Sequence, residues 1–260
     1  MAEEVIVEVR DAVQVIRINR PEKKNALKGD MYDRISEALT SGDASGGVAA
    51  HVFLGSNGVF TAGNDISDFA KRARTPHDNA RGAPAFIRLL PKVKKPMIAA
   101  VDGLAVGIGT TMLFHCDLVY ASPEASLHTP FVDLGIVPEA GSSLLAPMQI
   151  GYRRAFELLC LGEPFDAQHA FAAGLVNRIV PSGELESVAI RAATRLAMKP
   201  PGALAAARRL LRGDSSRIEA QVKKETEVFA ERLGSAEARE AFNAFLEKRQ
   251  PDFTRFRVPS

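Results

Sequence analysis

The sequence predicts an α/β core followed by a helical C-terminal region. Two observations predict the core: short apolar runs typical of buried strands recur along the chain, and they alternate with glycine turns and with runs whose apolar residues have helical spacing. A third predicts the helical region, because no strand pattern follows Pro200-Pro201-Gly202. We therefore assign residues 1–199 to the α/β core and residues 200–260 to the helical region.

The composition is that of an ordinary soluble protein, with 46% hydrophobic and 25% charged residues in a chain of 260. The net charge of +2 gives no argument for nucleic acid as a partner. No group of cysteines and histidines has the spacing of a zinc site. The most apolar run, Met97–Cys116, is interrupted by an aspartate, several glycines and a histidine, so it does not predict a membrane span. Without a signal-like N-terminus, we expect a cytoplasmic protein.

Strands and helices alternate in the first half of the chain. Apolar runs predict strands at Val5–Val9, Val13–Ile18, Val48–Leu54, Met97–Val101 and Leu118–Ala121. Helical spacing predicts helices at Ala26–Thr40, Ala85–Leu90 and in the run that ends near Asp117, with a loop at Ser41–Gly47. The polar, basic segment Ser67–Pro84 is weakly patterned, so we expect a mobile helix or loop near a ligand entrance.

Helices dominate the second half. Two are predicted at Ser142–Ile150 and Arg153–Leu161, with Gly151 between them. Asp166 is a suitable N-cap for a short helix to Ala173, Gly174–Val180 is a last strand, and Glu184–Met198 is amphipathic. Beyond Pro200, three helices are predicted, with breaks near Gly213 and Gly234. Arg208, Arg209 and Arg212 are interpreted as the solvated face of the first of these three.

Three motifs carry the chemistry. The first glycine motif is Phe60-Thr-Ala-Gly-Asn-Asp-Ile66, and the second is Asp102-Gly-Leu-Ala-Val-Gly-Ile-Gly109. Both are glycine turns that lead into helices, where backbone N–H groups are free to bind a developing negative charge. The glutamate motif, residues 129–141, places Glu139 on a turn flanked by apolar residues. Two such donors and one desolvated carboxylate suit proton transfer next to a carbonyl group.

The order and spacing of these motifs resemble the crotonase superfamily, also called the enoyl-CoA hydratase/isomerase family. The segments Ala62-Gly-Asn-Asp65, Thr129-Pro-Phe131 and Pro138-Glu-Ala-Gly141 are most similar to its Δ3,Δ2-enoyl-CoA isomerase branch. The resemblance implies a spiral of repeated ββα units with C-terminal helices that pack in a trimer. It also implies an acyl-CoA substrate, a homotrimer or a hexamer formed by two trimers, and no metal or redox cofactor, since coenzyme A arrives with the substrate. Fatty-acid degradation is the commonest context of the family.

The resemblance also implies roles for particular residues. It makes Glu139 the acid/base, and it makes the backbone N–H groups of Asn64 and Ile108 the oxyanion hole. The residues implied in binding the substrate or its CoA moiety are Lys23, Ala62, Gly63, Asp65, Ile66 and Gly107. By analogy, Phe245 and Lys248 approach the CoA site of a neighbouring subunit.

Two departures from the hydratase pattern favour isomerisation. Hydratases of this superfamily use two glutamates, and this chain has Thr111 and Phe131 at those positions. One carboxylate suffices for a 1,3-proton shift, whereas the usual route for adding water needs both. One alternative is hydration through an unusual acid such as Asp133, and another is a non-catalytic acyl-CoA-binding protein.

Other kinds of site have little support. The glycines lack the third glycine of a dinucleotide fingerprint and the Lys-Ser/Thr of a phosphate-binding loop. A triad of Ser142 or Ser143 with His128 and Asp133 has no Gly-x-Ser-x-Gly elbow to support it. We therefore interpret His51, His115 and His128 as packing or loop residues.

Overall fold

A computed structural model describes residues 3–65 and 81–256, and its main element is a six-stranded sheet. In order across the sheet, the strands are β1 (Val5–Arg10), β2 (Val13–Ile18), β3 (Ala50–Leu54), β5 (Met97–Val101), β7 (Leu118–Ala121) and β10 (Arg178–Ile179). The β1–β2 hairpin is antiparallel and the remaining neighbours are parallel. Every residue of β3 and β5 is buried, which explains why both strands are apolar apart from His51.

A second sheet of four very short strands was not predicted from the sequence. Its strands, in order, are β4 (Val59–Thr61), β6 (Leu104–Val106), β8 (Ser126–His128) and β9 (Phe165–Asp166). The strands β4, β6 and β8 run parallel, and β9 is antiparallel to β8. β4 overlaps the start of the first glycine motif and β6 lies inside the second, so the second sheet holds the two motifs side by side.

Helices surround the sheets and form the C-terminal region. Before residue 200 they are α1 (Gly29–Ala44), α2 (Gly82–Leu89), α3 (Ile108–Thr111), α4 (Ser142–Ile150), α5 (Tyr152–Phe156), α6 (Ala167–Ala172) and α7 (Ser182–Ala197). After it they are α8 (Pro201–Arg212), α9 (Ser215–Leu233) and α10 (Ala236–Glu247). The three predicted C-terminal helices and the breaks at Gly213 and Gly234 are confirmed.

The first helix is displaced from its predicted range. It begins at Gly29 rather than Ala26, because Leu27 forms a β-bridge with Asn64 instead of joining the helix. It ends at Ala44, so the start of the predicted loop at Ser41 is helical. A Cβ on Gly42 would lie only 2.6 Å from the Gln14 side chain. Glycine therefore allows close packing there and does not end the helix.

Other boundaries follow the sequence more closely. The Asp166 side chain accepts a hydrogen bond from the N–H of His169, which confirms the predicted N-cap of α6. Gly151 separates α4 from α5 in a positive-φ conformation. The helix predicted to end at Leu161 finishes as a π-helical turn, Glu157–Leu161. The predicted strand Gly174–Val180 is reduced to the two residues of β10.

The core lies on both faces of the main sheet. Alternate residues of β2 serve the two faces: Val13 and Val15 pack in the cluster covered by α7, and Ile16 and Ile18 pack in the larger cluster. The larger cluster also contains Ile218 of α9, so the C-terminal helices share the core of the α/β part. The division of the chain at residue 200 remains a prediction.

The interpretation of Arg208 as a solvated residue is wrong. Its side chain is buried, and its Nε lies 2.9 Å from both carboxylate oxygens of Asp117. Its Nη1 donates to the carbonyl oxygens of Val93 and Lys94. These acceptors stabilise the buried positive charge of the guanidinium group. The Arg208–Asp117 pair fixes α8 to the N-terminal ends of β5 and β7, because Asp117 also accepts the N–H of Met97.

Among residues 3–65 and 81–256, no helix combines the length and the apolar character that crossing a membrane requires.

Candidate active site

The two glycine motifs pack against each other through their backbones. Gly63 has φ +83, and a Cβ added to it would lie 2.7 Å from the carbonyl oxygen of Val106 and 3.8 Å from the nitrogen of Gly107. A Cβ on Gly109 would lie 2.5 Å from the Thr61 side chain. The glycines are therefore needed for close approach as well as for turning the chain.

In the described part of the chain, the N–H groups of Asn64 and Ile108 have no acceptor. Three neighbouring N–H groups are used: Gly63 donates to Thr61, Asp65 to Leu27 and Gly107 to His128. Ile108 is the first residue of α3, where a helix has no internal acceptor to offer.

Both N–H groups are thus available to an oxygen atom of a ligand. The side chain of Asn64 is held separately, since its Oδ1 accepts a hydrogen bond of 2.6 Å from the Tyr32 hydroxyl. The backbone around it is fixed on the other side by the bridge to Leu27. A donor pair that is fixed in advance is what stabilisation of an oxyanion requires.

Glu139 is buried beside α3. The residue is only 8% exposed. Its Oε1 accepts a hydrogen bond of 2.9 Å from the Thr111 hydroxyl. Thr111 ends the short helix that Ile108 begins. The carboxylate of the third motif therefore lies next to the element that carries one of the two free N–H groups.

Burial raises the pKa of Glu139 to about 7. The Thr111 hydrogen bond lowers this pKa, and the charge of Glu225 adds to the increase. A carboxyl group with a pKa near neutrality can both accept and return a proton, which is the property expected of an acid/base catalyst.

The raised pKa predicts that Glu139 costs stability above neutral pH. Between the ordinary value of 4.5 and about 7 the folded protein binds more protons at this site than the unfolded chain, so stability falls as pH rises. In Glu139→Gln this cost is absent. The free energy of unfolding of the variant minus that of the wild type should therefore grow by about 2 kcal/mol between about pH 5 and about pH 8.

Urea denaturation of both proteins across this range measures the difference. Other titrating groups are common to the two proteins, so they cancel. A constant difference would contradict the raised pKa.

Three of the residues predicted to bind the CoA moiety, Lys23, Ala62 and Asp65, lie where a turn contacts the first glycine motif. Lys23 is exposed on a 3₁₀ turn, and the next residue, Lys24, accepts the N–H of Ala62 through its carbonyl oxygen. The Asp65 carboxylate lies 2.7 Å from Nη1 of Arg20. This ion pair holds the turn against the first glycine motif.

Of the other residues predicted for binding, Gly63 and Gly107 lie where the two motifs meet. Ile66 and most of the predicted entrance segment, residues 67–80, lie outside the described residues.

Thr111 and Phe131 stand at the positions to which the resemblance assigns the two glutamates of hydratases, and neither side chain is a carboxylic acid. The Thr111 hydroxyl is bound to Glu139, and Phe131 is buried, with its ring edge 4.0 Å from the position of a Cβ on Gly107. Asp133 is exposed, and its carboxylate lies against Gly162. It is not in the buried environment of Glu139.

Two residues near Glu139 were not assigned to the site by the sequence. Glu225 of α9 is buried and accepts hydrogen bonds from the N–H groups of Gly141 and Ser143. His115 Nε2 lies 2.6 Å from the carbonyl oxygen of Ala140. Burial lowers the pKa of His115 to about 4, so its ring is neutral and donates this hydrogen bond. The interpretation of His115 as a buried packing residue is confirmed, with an added contact to the glutamate motif.

Within residues 3–65 and 81–256, no three His, Cys, Asp or Glu side chains are placed so that they could hold a metal ion.

Comparison with known proteins shows the family. Residues 8–256 match the family model described as enoyl-CoA hydratase/isomerase. The 2,3-dehydroadipyl-CoA hydratase of Escherichia coli K12 is 32% identical over 96% of this chain and 98% of its own length. Enoyl-CoA delta isomerase 2 of Rattus norvegicus is 32% identical over 94% of this chain, which spans 64% of that longer protein.

The fold agrees as well. The crystal structure of an enoyl-CoA hydratase/isomerase from Pseudoalteromonas atlantica T6c superposes with a TM-score of 0.92, at 37% identity, over 97% of this chain and 100% of that one. A likeness of this extent covers both sheets and the C-terminal helices. The chain therefore belongs to the enoyl-CoA hydratase/isomerase family, the crotonase superfamily that its three motifs indicate.

Proposed function

We propose that this protein is a Δ3,Δ2-enoyl-CoA isomerase in which Glu139 moves a proton between two carbons of the acyl chain. The observation that carries the proposal is the buried Glu139 carboxylate, whose pKa is about 7 and which contacts Thr111 of the short helix α3 that begins at Ile108. Within residues 3–65 and 81–256, the backbone N–H groups of Ile108 and Asn64 have no acceptor. Relatives of similar identity are named as hydratases and as isomerases, so the choice between the reactions depends on the residues of the site.

The reaction follows from these groups. The thioester oxygen of a 3-enoyl-CoA accepts hydrogen bonds from the N–H groups of Asn64 and Ile108. The ionised Glu139 removes a proton from C2, and the negative charge of the resulting dienolate is stabilised on that oxygen. The protonated Glu139 then returns its proton to C4 as the double bond moves to C2–C3. The carboxylate is regenerated, so no further acid, base or redox group is needed.

Hydration is less well supported. Adding water needs a group that activates the water and a group that protonates the other carbon, and the superfamily's usual pair is replaced by Thr111 and Phe131. Asp133 is the alternative candidate for the acid that hydration needs, but it is exposed and does not share the buried environment of Glu139. A purely binding role gives no reason to bury a carboxylate at the site, because burial without an ion pair costs free energy.

The remaining features of the proposal concern the substrate and the assembly. Lys23, Ala62, Asp65 and Ile66 are proposed to bind CoA, which is part of the substrate, so no separate coenzyme is needed. We further propose a role in fatty-acid metabolism, a cytoplasmic location, and a homotrimer or a hexamer of two trimers. Exposed apolar side chains on the C-terminal helices support assembly; they are Leu210, Leu211, Phe245 and Leu246.

The test is a comparison of two initial rates for the purified protein: isomerisation of a 3-enoyl-CoA and hydration of a 2-enoyl-CoA. We expect isomerisation to exceed hydration by at least about 100-fold, since one of the two hydratase acids alone contributes this much. Asp133→Asn should leave both rates unchanged. Fast hydration that is lost in Asp133→Asn would contradict the proposal and support the alternative.

A further inference from the structure

We propose that Glu225, on the C-terminal helix α9, is a positioning residue that fixes the turn carrying Glu139. The inference rests on the proposed function of Glu139. It adds a residue that lies outside all three motifs and comes from the helical region. The C-terminal helices would then complete the active site within a single subunit, in addition to any role in assembly.

The contacts of Glu225 are all with hydrogen-bond donors. Its Oε2 accepts the N–H of Gly141 at 2.6 Å, and its Oε1 accepts the N–H of Ser143 at 3.0 Å and the Ser143 hydroxyl. The amide of Gln221 donates to the same hydroxyl at 2.7 Å, so the hydroxyl proton must point to Glu225. Burial raises the pKa of the Glu225 carboxyl group, whereas these hydrogen bonds lower it by stabilising the ionised form.

These donors belong to the segment that follows the catalytic glutamate. Gly141 is the N-cap of α4, and a helix N-terminus leaves its first N–H groups without internal acceptors. The next residue, Ser142, donates both its N–H and its hydroxyl to the carbonyl oxygen of Glu139. The Glu225 carboxylate is therefore connected to the Glu139 backbone through the hydrogen bonds of Gly141 and Ser142.

The turn needs such support. Ala140 has φ +60, a left-handed conformation that a residue with a Cβ adopts at a cost. The ring of His115 donates a hydrogen bond to the carbonyl oxygen of Ala140. Glu225 accepts the N–H of the next residue, Gly141. Loss of one of these supports would allow the turn to relax and move the carboxylate away from the substrate.

The two carboxylates also interact through their charges. In the described part of the chain, the titratable groups facing the turn are Glu139 itself, Glu225 of α9 and the neutral His115 after α3; Arg212 of α8 acts on His115. The negative charge of Glu225 raises the pKa of Glu139 beyond the effect of burial. Removing that charge should make Glu139 ionise at lower pH.

The test uses Glu225→Gln, with Glu227→Gln as a matched control on the exposed face of the same helix. Glutamine cannot accept both N–H groups, because one of its two positions carries hydrogens. We expect kcat for isomerisation to fall about 10- to 100-fold, as a small misplacement of a catalytic group would cause, with KM within about twofold. The rising limb of kcat/KM against pH should move to lower pH. Glu227→Gln should match the wild type in all three.

Ser143→Ala provides a second variant should Glu225→Gln fold poorly. It removes one donor and leaves the Glu225 charge in place, so we expect a smaller fall in kcat, about threefold, without displacement of the pH limb. A thermal unfolding curve for each variant separates misfolding from misplacement.

The inference is overturned if folded Glu225→Gln has the kcat and the pH limb of the wild type, or if only its melting temperature falls. In that case Glu225 is a helix cap alone. Wild-type protein and Glu139→Gln belong in the same series. Absence of Glu139-dependent isomerisation in the wild type would instead refute the proposed function, and this inference with it.

Discussion

Gly63→Ala is expected to lower kcat/KM for isomerisation by about 1000-fold, the loss typical of removing an oxyanion donor. A Cβ at this position would lie 2.7 Å from the carbonyl oxygen of Val106, and both groups belong to tightly held backbone. One of the two glycine motifs must shift, which moves the N–H of Asn64 or of Ile108 out of position. Steady-state kinetics with a 3-enoyl-CoA would measure the loss.

Gly58→Ala is the matched control. Gly58 also has a positive φ, +70, but a Cβ on it would have no heavy atom within 4 Å. Alanine should therefore cost about 1 kcal/mol of stability from backbone strain and leave kcat/KM within about twofold of the wild type. Equal activity losses in the two variants would show that strain, rather than the placement of the donors, accounts for the effect.

The main sheet could be predicted because its buried strands have mostly apolar sequences. The strands β3 and β5 are apolar apart from His51 and have both faces covered, and the residues of β2 pack alternately in the two core clusters on the two faces of the sheet. The positions of α9 and α10 followed from glycine breaks in an otherwise helical pattern. Each of these signals is local, so it can be recognised in a single sequence.

The second sheet could not be predicted because its strands have two or three residues each. Such strands are too short to show alternation, and each is stabilised by partners far away in the chain. Val59 pairs with Leu104, and Leu104 with Ser126. The glycines within this region are typical of turns, and that signal concealed the strands beside them.

The candidate site was only partly visible in the sequence. The motifs indicated Glu139, Asn64 and Ile108, but the contact of Glu139 with Thr111 depends on the fold. Glu225 has two lysines before it and resembles a surface residue. One signal could have identified it: it follows the buried residues Ile218 and Val222 at helical spacing, so it lies on the same face of α9.

Glu139→Gln is expected to lower kcat for isomerisation by about 10,000-fold, the upper part of the range for general acid–base catalysis. The loss should be at the upper end because the same carboxylate performs both proton transfers. Glutamine has nearly the same shape and can still accept the Thr111 hydrogen bond through its oxygen. The backbone donors and the residues proposed to bind CoA are unchanged, so the dissociation constant for a CoA thioester should stay within about threefold.

The most direct test of the account is therefore the rate of 3-enoyl-CoA conversion to 2-enoyl-CoA by Glu139→Gln beside the wild type, at saturating substrate and with binding measured on the same preparations. The account predicts that the variant binds normally and converts almost nothing. Isomerisation by Glu139→Gln at a rate close to that of the wild type would contradict it, because the proton would then be carried by another group.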